Sequence, residues 1–193
     1  MLFKLFSEKI IVNSQIRKNY KTMASSSIQI NNNIEPLLEN DLHFGVVVSE
    51  WNAHITHPLL TACLETLRAY GIAENNITTV NVPGAFELPM GARILLKNKG
   101  NLDAVICIGC VIKGDTRHDE YINNAVALGL QNLALSSGRP CIFGVLTTEN
   151  EAQATARAGG SMGNKGSEWA QSAVKMALLQ KEMFTEGKKR IGF

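Results

Sequence analysis

The chain has 193 residues, of which 45% are hydrophobic and 19% are charged, enough for one domain with a full hydrophobic core. The formal net charge is +2, but residues 1–22 hold five basic residues against one acidic residue, which leaves −2 for the rest of the chain. A mildly acidic body without a basic stripe argues against nucleic-acid binding, and the longest apolar run, Ala104–Ile112, is about half of what a membrane-spanning helix needs.

The N-terminal segment differs in composition from the rest of the chain. Residues 1–22 are basic, poor in acidic residues and amphipathic in places, which is typical of an organelle transit peptide. A disordered leader, or a true start at Met23, explains the same composition, and these alternatives stay open. We expect cytoplasmic localisation, or a plastid or mitochondrion if the leader is a transit peptide. The expected organisation is a leader and polar linker over 1–40, a folded domain over 41–186 and a tail over 187–193.

Strand and helix patterns alternate from residue 43 onwards. The first strand is Val-rich, and the helix after it has Thr56 and Pro58 as a start signal and Gly71 as a stop. The predicted strands are residues 43–49, 77–82, 103–109 and 141–146. The later predicted helices are residues 87–97, 118–136, 151–157 and 167–182, with a glycine-rich loop at 159–166 before the last of them.

The strands are continuously apolar instead of alternating, and each is followed by a helix. This pattern predicts a parallel sheet with helices on both faces, an α/β fold of the three-layer α/β/α sandwich type with a four-stranded parallel sheet. In such sheets ligands bind outside the carboxyl ends of the strands, so the loops after the strands are expected to carry the functional residues.

Two of these loops contain residues with open interpretations. Trp51 follows the first strand and can stack on a planar heterocycle, or it can cover the first helix. Glu87 begins the second helix, where the helix dipole stabilises a carboxylate, so it is either a first-turn acid or a ligand for a polyhydroxyl substrate.

The loop after the third strand is the strongest candidate for chemistry. An apolar run stops at Gly109, and the segment Gly114–His118 leads into the long third helix. Free backbone N–H groups at a helix N-terminus, together with the Thr116 hydroxyl, form an anion site, although Asp115 can instead be a helix cap. His118 lies at the positive end of the helix dipole, which favours its neutral form and suits a proton acceptor.

Redox, metal and nucleotide motifs are not supported. The four cysteines lie in apolar surroundings, which indicates buried free thiols, and the C-x-x-C formed by Cys107 and Cys110 puts its side chains on opposite strand faces. His54 and His57 have no third ligand at metal-binding spacing, so no metal is expected. The loop at 159–166 lacks the Gly-Lys-Ser/Thr of a P-loop, and no G-x-G-x-x-G follows the first strand.

Five sequence blocks in register resemble the 6,7-dimethyl-8-ribityllumazine synthase family. The order and spacing of the blocks are similar to those of the family from about residue 42 to residue 180, so the leader lies outside the resemblance. The blocks are Phe44-Gly-Val-Val-Val with Trp51-Asn52, Val82-Pro-Gly-Ala-Phe-Glu-Leu-Pro89, Gly109 to His118, Phe143-Gly-Val-Leu-Thr147, and Arg157-Ala-Gly with Gly163-Asn-Lys-Gly166.

The resemblance implies a flavodoxin-like fold and the condensation of 5-amino-6-(D-ribitylamino)uracil with 3,4-dihydroxy-2-butanone 4-phosphate in riboflavin biosynthesis, without metal or cofactor. It also implies the site residues. Trp51 stacks on the pyrimidine ring, with Asn52 beside it. The ribityl chain contacts Ala85, Phe86 and Glu87, and the pyrimidine edge contacts the main chain of Cys110, Val111 and Ile112. Asp115 and Thr116 bind phosphate, and His118 transfers protons.

The family builds its site between two subunits, so the resemblance also implies a homo-oligomer. Phe143, Arg157 and Lys165 would come from a neighbouring subunit, with Phe143 over the pyrimidine and the two cations near the phosphate. Pentamers are expected, and the short link from Gly159 to Gly166 favours further assembly of pentamers into an icosahedral shell. An uncleaved leader could obstruct that assembly.

Two residues depart from the family pattern beside His118. Asp119 stands where the family usually has an aromatic residue, and Arg117 replaces a small polar one. A carboxylate pointing at His118 would favour the protonated imidazole and change the pH profile, without changing the reaction class.

Two other classes of protein remain as alternatives. A non-catalytic flavin- or lumazine-binding protein on the same scaffold would use Trp51 and Phe143, but it has no need of Thr116, His118 and Arg157 together. A receiver-like signalling module would need an acidic cluster at the ends of strands one and three, which the sequence does not supply.

Overall fold

The computed structural model describes the backbone of residues 41–190 and the side chains up to residue 184. The predicted leader and linker over 1–40, and the last residues of the predicted tail, lie outside this part of the chain. Four strands of this part form a parallel sheet, as the sequence predicts, and their order is β2-β1-β3-β4. Their bounds are β1 Phe44–Ser49, β2 Ile77–Val82, β3 Ala104–Ile112 and β4 Cys141–Thr148.

The third strand is longer than predicted. The prediction ended it at Gly109, but β3 continues to Ile112 because β4 pairs with it up to the Ile112–Thr148 register. Gly109 is therefore an interior position of the strand. A Cβ there would lie 3.0 Å from the Leu88 side chain, so glycine permits a close approach of the chain that follows β2.

Within residues 41–190, five helices cover the two faces of the sheet. Thr56 and Pro58 do not start the first helix, because Asn52 accepts its first backbone hydrogen bonds. Pro58 lies inside the helix, and the buried Thr56 hydroxyl donates to the Ser49 carbonyl at 2.9 Å. The helices are α1 Ala53–Ala69, α2 Leu88–Asn98, α3 His118–Ser137, α4 Glu151–Arg157 and α5 Lys165–Arg190, with 3₁₀ turns at Glu74–Asn76 and Ala85–Glu87.

Alternate residues of the central strands face two separate cores. Phe44, Val46 and Val48 pack with α1 and α5, whereas Val47 packs with α2 and α3. Cys107 and Cys110 also belong to opposite cores, so the predicted separation of these thiols is confirmed. The result is the predicted three-layer α/β/α sandwich, whose central strands β1 and β3 are buried on both faces.

The glycine-rich segment forms a small hairpin that was not predicted. Its strands are β5 Ala158–Gly160 and β6 Gly163–Asn164, and they are antiparallel. The segment then enters α5 at Lys165, two residues earlier than predicted. Gly166 packs directly against the backbone of Leu59 in α1, which leaves no room for a side chain.

None of the helices in the described part of the chain combines the length and the apolar content needed to cross a bilayer.

Candidate functional site

A pocket of about 590 Å³ opens at the carboxyl edge of the sheet. The loops after β1, β2 and β3 form it, which is the edge at which parallel sheets bind ligands. The pocket wall includes ten of the residues predicted from the sequence. These are Trp51, Asn52, Ala85, Phe86, Glu87, Cys110, Val111, Ile112, Thr116 and His118.

The loop after β1 is held by both neighbouring strands. The Glu50 and Trp51 amides donate to the Val82 and Pro83 carbonyls at 2.8 and 3.1 Å. Asn52 adopts the left-handed conformation, with φ 60° and ψ 43°, and its amide nitrogen donates to the Cys110 carbonyl at 3.1 Å. The loop is therefore tied to the ends of β2 and β3 at a residue type that tolerates this backbone geometry.

Trp51 projects from this loop and is 71% exposed. It does not cover α1, which was one of the two interpretations of the sequence. Because an indole that lines an open pocket presents a free aromatic face, the position suits stacking on a planar ring.

The chain after β2 brings a carboxylate to the same wall. Ala85–Glu87 form a 3₁₀ turn, and α2 begins directly after it at Leu88, one residue later than predicted. The Glu87 carboxylate lies over Gly84, where a Cβ would be 3.2 Å from Oε2. Within the described residues, no hydrogen bond or ion pair engages this carboxylate, so it is available to a ligand.

The end of β3 contributes mainly backbone. The Cys110 side chain points into the core under α1 and α5, and burial raises the pKa of its thiol to about 11. A thiol of that pKa stays protonated near pH 7 and is a poor nucleophile. Cys110 can therefore serve the pocket through its main chain.

The start of α3 has no side-chain cap. Arg117 occupies the N-cap position and makes no capping hydrogen bond, and Asp115 lies two residues before it, so Asp115 is not the cap. Within the described residues, no hydrogen bond engages the side chains of Asp115, Thr116 or His118. Thr116 and His118 line the pocket at this uncapped helix start, which is a suitable arrangement for an anion.

Arg117 and Asp119, the two residues beside His118 that depart from the family pattern, have different surroundings. The Arg117 guanidinium donates to Glu120 at 2.6 and 3.0 Å on the exposed side of the helix. Asp119 is half-buried and lines the pocket, yet no ion pair joins it to His118 within the described residues. The Asp119–His118 contact, which the sequence left open, is therefore not present among the described residues of the single chain.

Four predicted residues lie outside the pocket wall. Asp115 is exposed on the loop before α3. Phe143 lies on the edge strand β4 and is 38% exposed. Arg157 ends α4 and donates to the Gln153 carbonyl at 2.9 Å, and Lys165 donates to both carboxylate oxygens of Glu168 at 2.8 Å. Asp115 lies between the wall residues Gly114 and Thr116, whereas one chain alone does not bring Phe143, Arg157 and Lys165 to the site.

Five further residues of the wall were not among the predicted site residues, although Pro83, Gly84 and Gly114 lie in loops that were expected to carry function. Ile122 follows His118 by one helical turn, and this spacing is the signal that could have found it. Asp119 was noted only for its departure from the family pattern. The five residues are Pro83, Gly84, Gly114, Asp119 and Ile122.

Sequence comparison assigns the chain to a family. The profile of the 6,7-dimethyl-8-ribityllumazine synthase family matches residues 41–181, which are most of the chain and include every residue of the pocket wall. The chain belongs to this family. The lumazine synthase profile ends within α5, and it begins three residues before β1.

Relatives that carry the lumazine synthase name cover the same region. The protein of Cytophaga hutchinsonii is 54% identical over 133 residues, which are 69% of this chain and 83% of the relative. The Bacteroides fragilis protein is 48% identical over 135 residues, 70% of this chain and 94% of the relative. The Coxiella burnetii protein is 46% identical over 147 residues, 76% of this chain and 97% of the relative.

Proposed function

We propose that the chain makes 6,7-dimethyl-8-ribityllumazine in riboflavin biosynthesis. The reaction condenses 5-amino-6-(D-ribitylamino)uracil with 3,4-dihydroxy-2-butanone 4-phosphate and releases phosphate and water. Family membership supports this reaction. The observation that carries it is one pocket that combines an exposed indole, a free carboxylate and an uncapped helix start.

The ring and the sugar-alcohol chain occupy the part of the pocket formed by the loops after β1 and β2. Trp51 stacks on the pyrimidine, with Asn52 beside it, while the backbone of Cys110–Ile112 meets the polar ring edge. Phe86 and Glu87, with the backbone of Ala85, line the ribityl chain. The free carboxylate of Glu87 supports this assignment, because a carboxylate can accept hydrogen bonds from several hydroxyl groups.

The phosphate of the second substrate binds at the start of α3. The backbone of Asp115, the hydroxyl of Thr116 and the uncapped first turn supply donors to it, and the helix dipole favours negative charge there. His118, at the first position of the helix, transfers protons during imine formation and phosphate elimination. Most of the rate comes from holding the amine and the ketone together, because this effect can exceed that of acid–base catalysis.

The charge of the pocket indicates that one chain does not complete the site. Within the described residues, the wall contains the carboxylates of Glu87 and Asp119 and no lysine or arginine. A phosphate dianion in such a pocket needs a fixed cation. Arg157 of a neighbouring subunit supplies it, since its guanidinium can donate two parallel hydrogen bonds to phosphate. Lys165 lies near the phosphate, and Phe143 of the same neighbour covers the pyrimidine.

Unpaired apolar stripes support an oligomer that shares the site. Tyr121, Leu128 and Leu135 are strongly exposed on α3, and they are spaced by seven residues, so they lie on one side of the helix. Phe86, Met90 and Ile94 form a second exposed stripe at a spacing of four residues. Such stripes are typical of interfaces between subunits. We infer a homopentamer from the resemblance to the family, and the short hairpin β5–β6 favours a shell of pentamers.

The reaction is tested with the full-length recombinant chain and both substrates. Formation of the lumazine is followed by its fluorescence and compared with the spontaneous reaction at the same concentrations. The proposal predicts a rate that rises in proportion to protein concentration. A protein that binds the lumazine tightly but leaves the rate at the spontaneous level would instead be a non-catalytic lumazine-binding protein.

A further inference from the structure

In the single chain, Asp119 places a negative charge in the pocket wall, and no cation of the described residues pairs with it. It is half-buried, whereas its neighbours His118 and Glu120 are exposed, and it lines the same wall as Thr116 and His118. Within the described part of the chain, no hydrogen bond or ion pair engages its carboxylate. Its position at the second residue of α3 puts it beside the donors that would meet an anion.

The nearby cations are already paired with other carboxylates. Lys113 donates to Glu149 at 2.8 Å, and Arg117 donates to Glu120. The pKa of Lys113 is raised, first by its hydrogen bond with Glu149 and then by the charge of that residue, with Asp119 as a smaller contributor. Asp119 is thus close enough to influence Lys113 without forming a pair with it.

We propose that Asp119 is a specificity-determining residue that weakens the binding of phosphate-bearing ligands at the start of α3. The inference rests on the proposed function, because it needs the phosphate of the substrate to lie beside Thr116. The carboxylate repels the phosphate dianion through partly solvated space. This repulsion acts on the phosphorylated substrate when it is bound, and on the inorganic phosphate that elimination leaves in the pocket. The consequence is a higher KM for the phosphorylated substrate and faster loss of inorganic phosphate.

The direct test replaces Asp119 with its uncharged isostere in the full-length chain. D119N is expected to lower the KM for the phosphorylated substrate about two- to fivefold, a range typical of a partly screened charge. The Ki of inorganic phosphate is expected to fall by the same factor. The kcat and the KM for the ribitylaminouracil stay unchanged, because that substrate carries no phosphate.

A matched control distinguishes the position of the charge from the net charge of the chain. E65Q removes one negative charge from the exposed side of α1, outside the pocket wall, and is expected to leave all four constants unchanged. A second readout is salt: at about 1 M, where the Debye length is about 3 Å, the difference between wild type and D119N should shrink. A merely structural effect of Asp119 would not depend on salt in this way.

Three outcomes would overturn the inference. They are an unchanged or raised KM in D119N, an equal change in E65Q, and a difference that persists at high salt. T116V distinguishes failure of the inference about Asp119 from failure of the proposed function. If T116V raises the KM for the phosphorylated substrate while D119N leaves it unchanged, the phosphate site stands and only the role of Asp119 is wrong. If T116V has no effect on that KM, the phosphate does not bind there.

Discussion

Substitution of Asn52 allows a specific prediction, because two contributions to stability depend on this residue. Its side chain donates to the Cys110 carbonyl, and its backbone is left-handed with φ 60°. Loss of a hydrogen bond of this kind costs about 0.5–1.5 kcal/mol. A residue with a Cβ and no polar side chain pays about 1–2 kcal/mol more for the left-handed conformation, which glycine adopts freely.

The comparison of N52G with N52A separates these terms. Both variants lose the hydrogen bond, but only N52A carries the backbone strain, so N52A is expected to be less stable than N52G by about 1 kcal/mol. This order is the reverse of the usual advantage of alanine over glycine. Both variants free the Trp51 loop from β3, so the KM for the ribitylaminouracil is expected to rise in both.

The assay is urea unfolding of the full-length variants at one protein concentration, followed by circular dichroism, with steady-state kinetics on the same preparations. Equal stabilities, or N52A more stable than N52G, would refute the reasoning about the left-handed residue. An unchanged KM in both variants would show that the bond between Asn52 and Cys110 does not position Trp51.

Four further predictions test the neighbouring subunit, the interface, the packing and the buried thiols. R157A should raise the KM for the phosphorylated substrate about tenfold or more, as expected for a lost charge-assisted bond, and R157K should recover part of it. Light scattering should show that L128D dissociates the oligomer, because it places a charge on the exposed stripe of α3. G166A should be destabilised by more than about 2 kcal/mol in urea, since its Cβ would overlap the α1 backbone, whereas G100A, which has open space, should not be. Burial raises the pKa of the Cys110 thiol from 9.0 to about 11, so this thiol contributes its full stabilisation only below pH 9. The free energy of unfolding should therefore fall as pH rises from 9 to 11, and it should fall less in C110A.

The sheet and its active edge were predictable because both follow from patterns of many residues. Continuous apolar strands such as Phe44–Ser49 can be buried on both faces only in a parallel sheet under two helix layers. Once the sheet is parallel, the carboxyl ends of its strands meet at one edge. Trp51, Glu87 and His118 had to lie near one another for that reason.

Other features depended on tertiary contacts that have no local signal. Gly109 is a typical strand terminator by composition, yet pairing with β4 carries β3 on to Ile112. The hairpin at 158–164 has strands of three and two residues, too short for any periodicity. Pro58 resembles a helix start, but Asn52 begins α1 earlier.

The site also has residues that local sequence patterns could not place, namely Phe143, Arg157 and Lys165. Their roles came from the family resemblance, and the single chain leaves all three outside the pocket wall. Periodicity and loop chemistry describe one chain, whereas a site completed by a neighbouring subunit depends on the geometry of assembly.

Subunit complementation tests the shared pocket most directly. In the proposed shared site, T116V impairs the face that one subunit provides, and R157A impairs the face that its neighbour provides. When the two variants are co-assembled at equal amounts, about one quarter of the sites combine an intact Thr116 with an intact Arg157, because the interface is heterologous. The mixed oligomer is predicted to make lumazine, at low concentrations of the phosphorylated substrate, faster than the mean of the two parent variants. A rate equal to that mean would contradict a pocket shared between subunits.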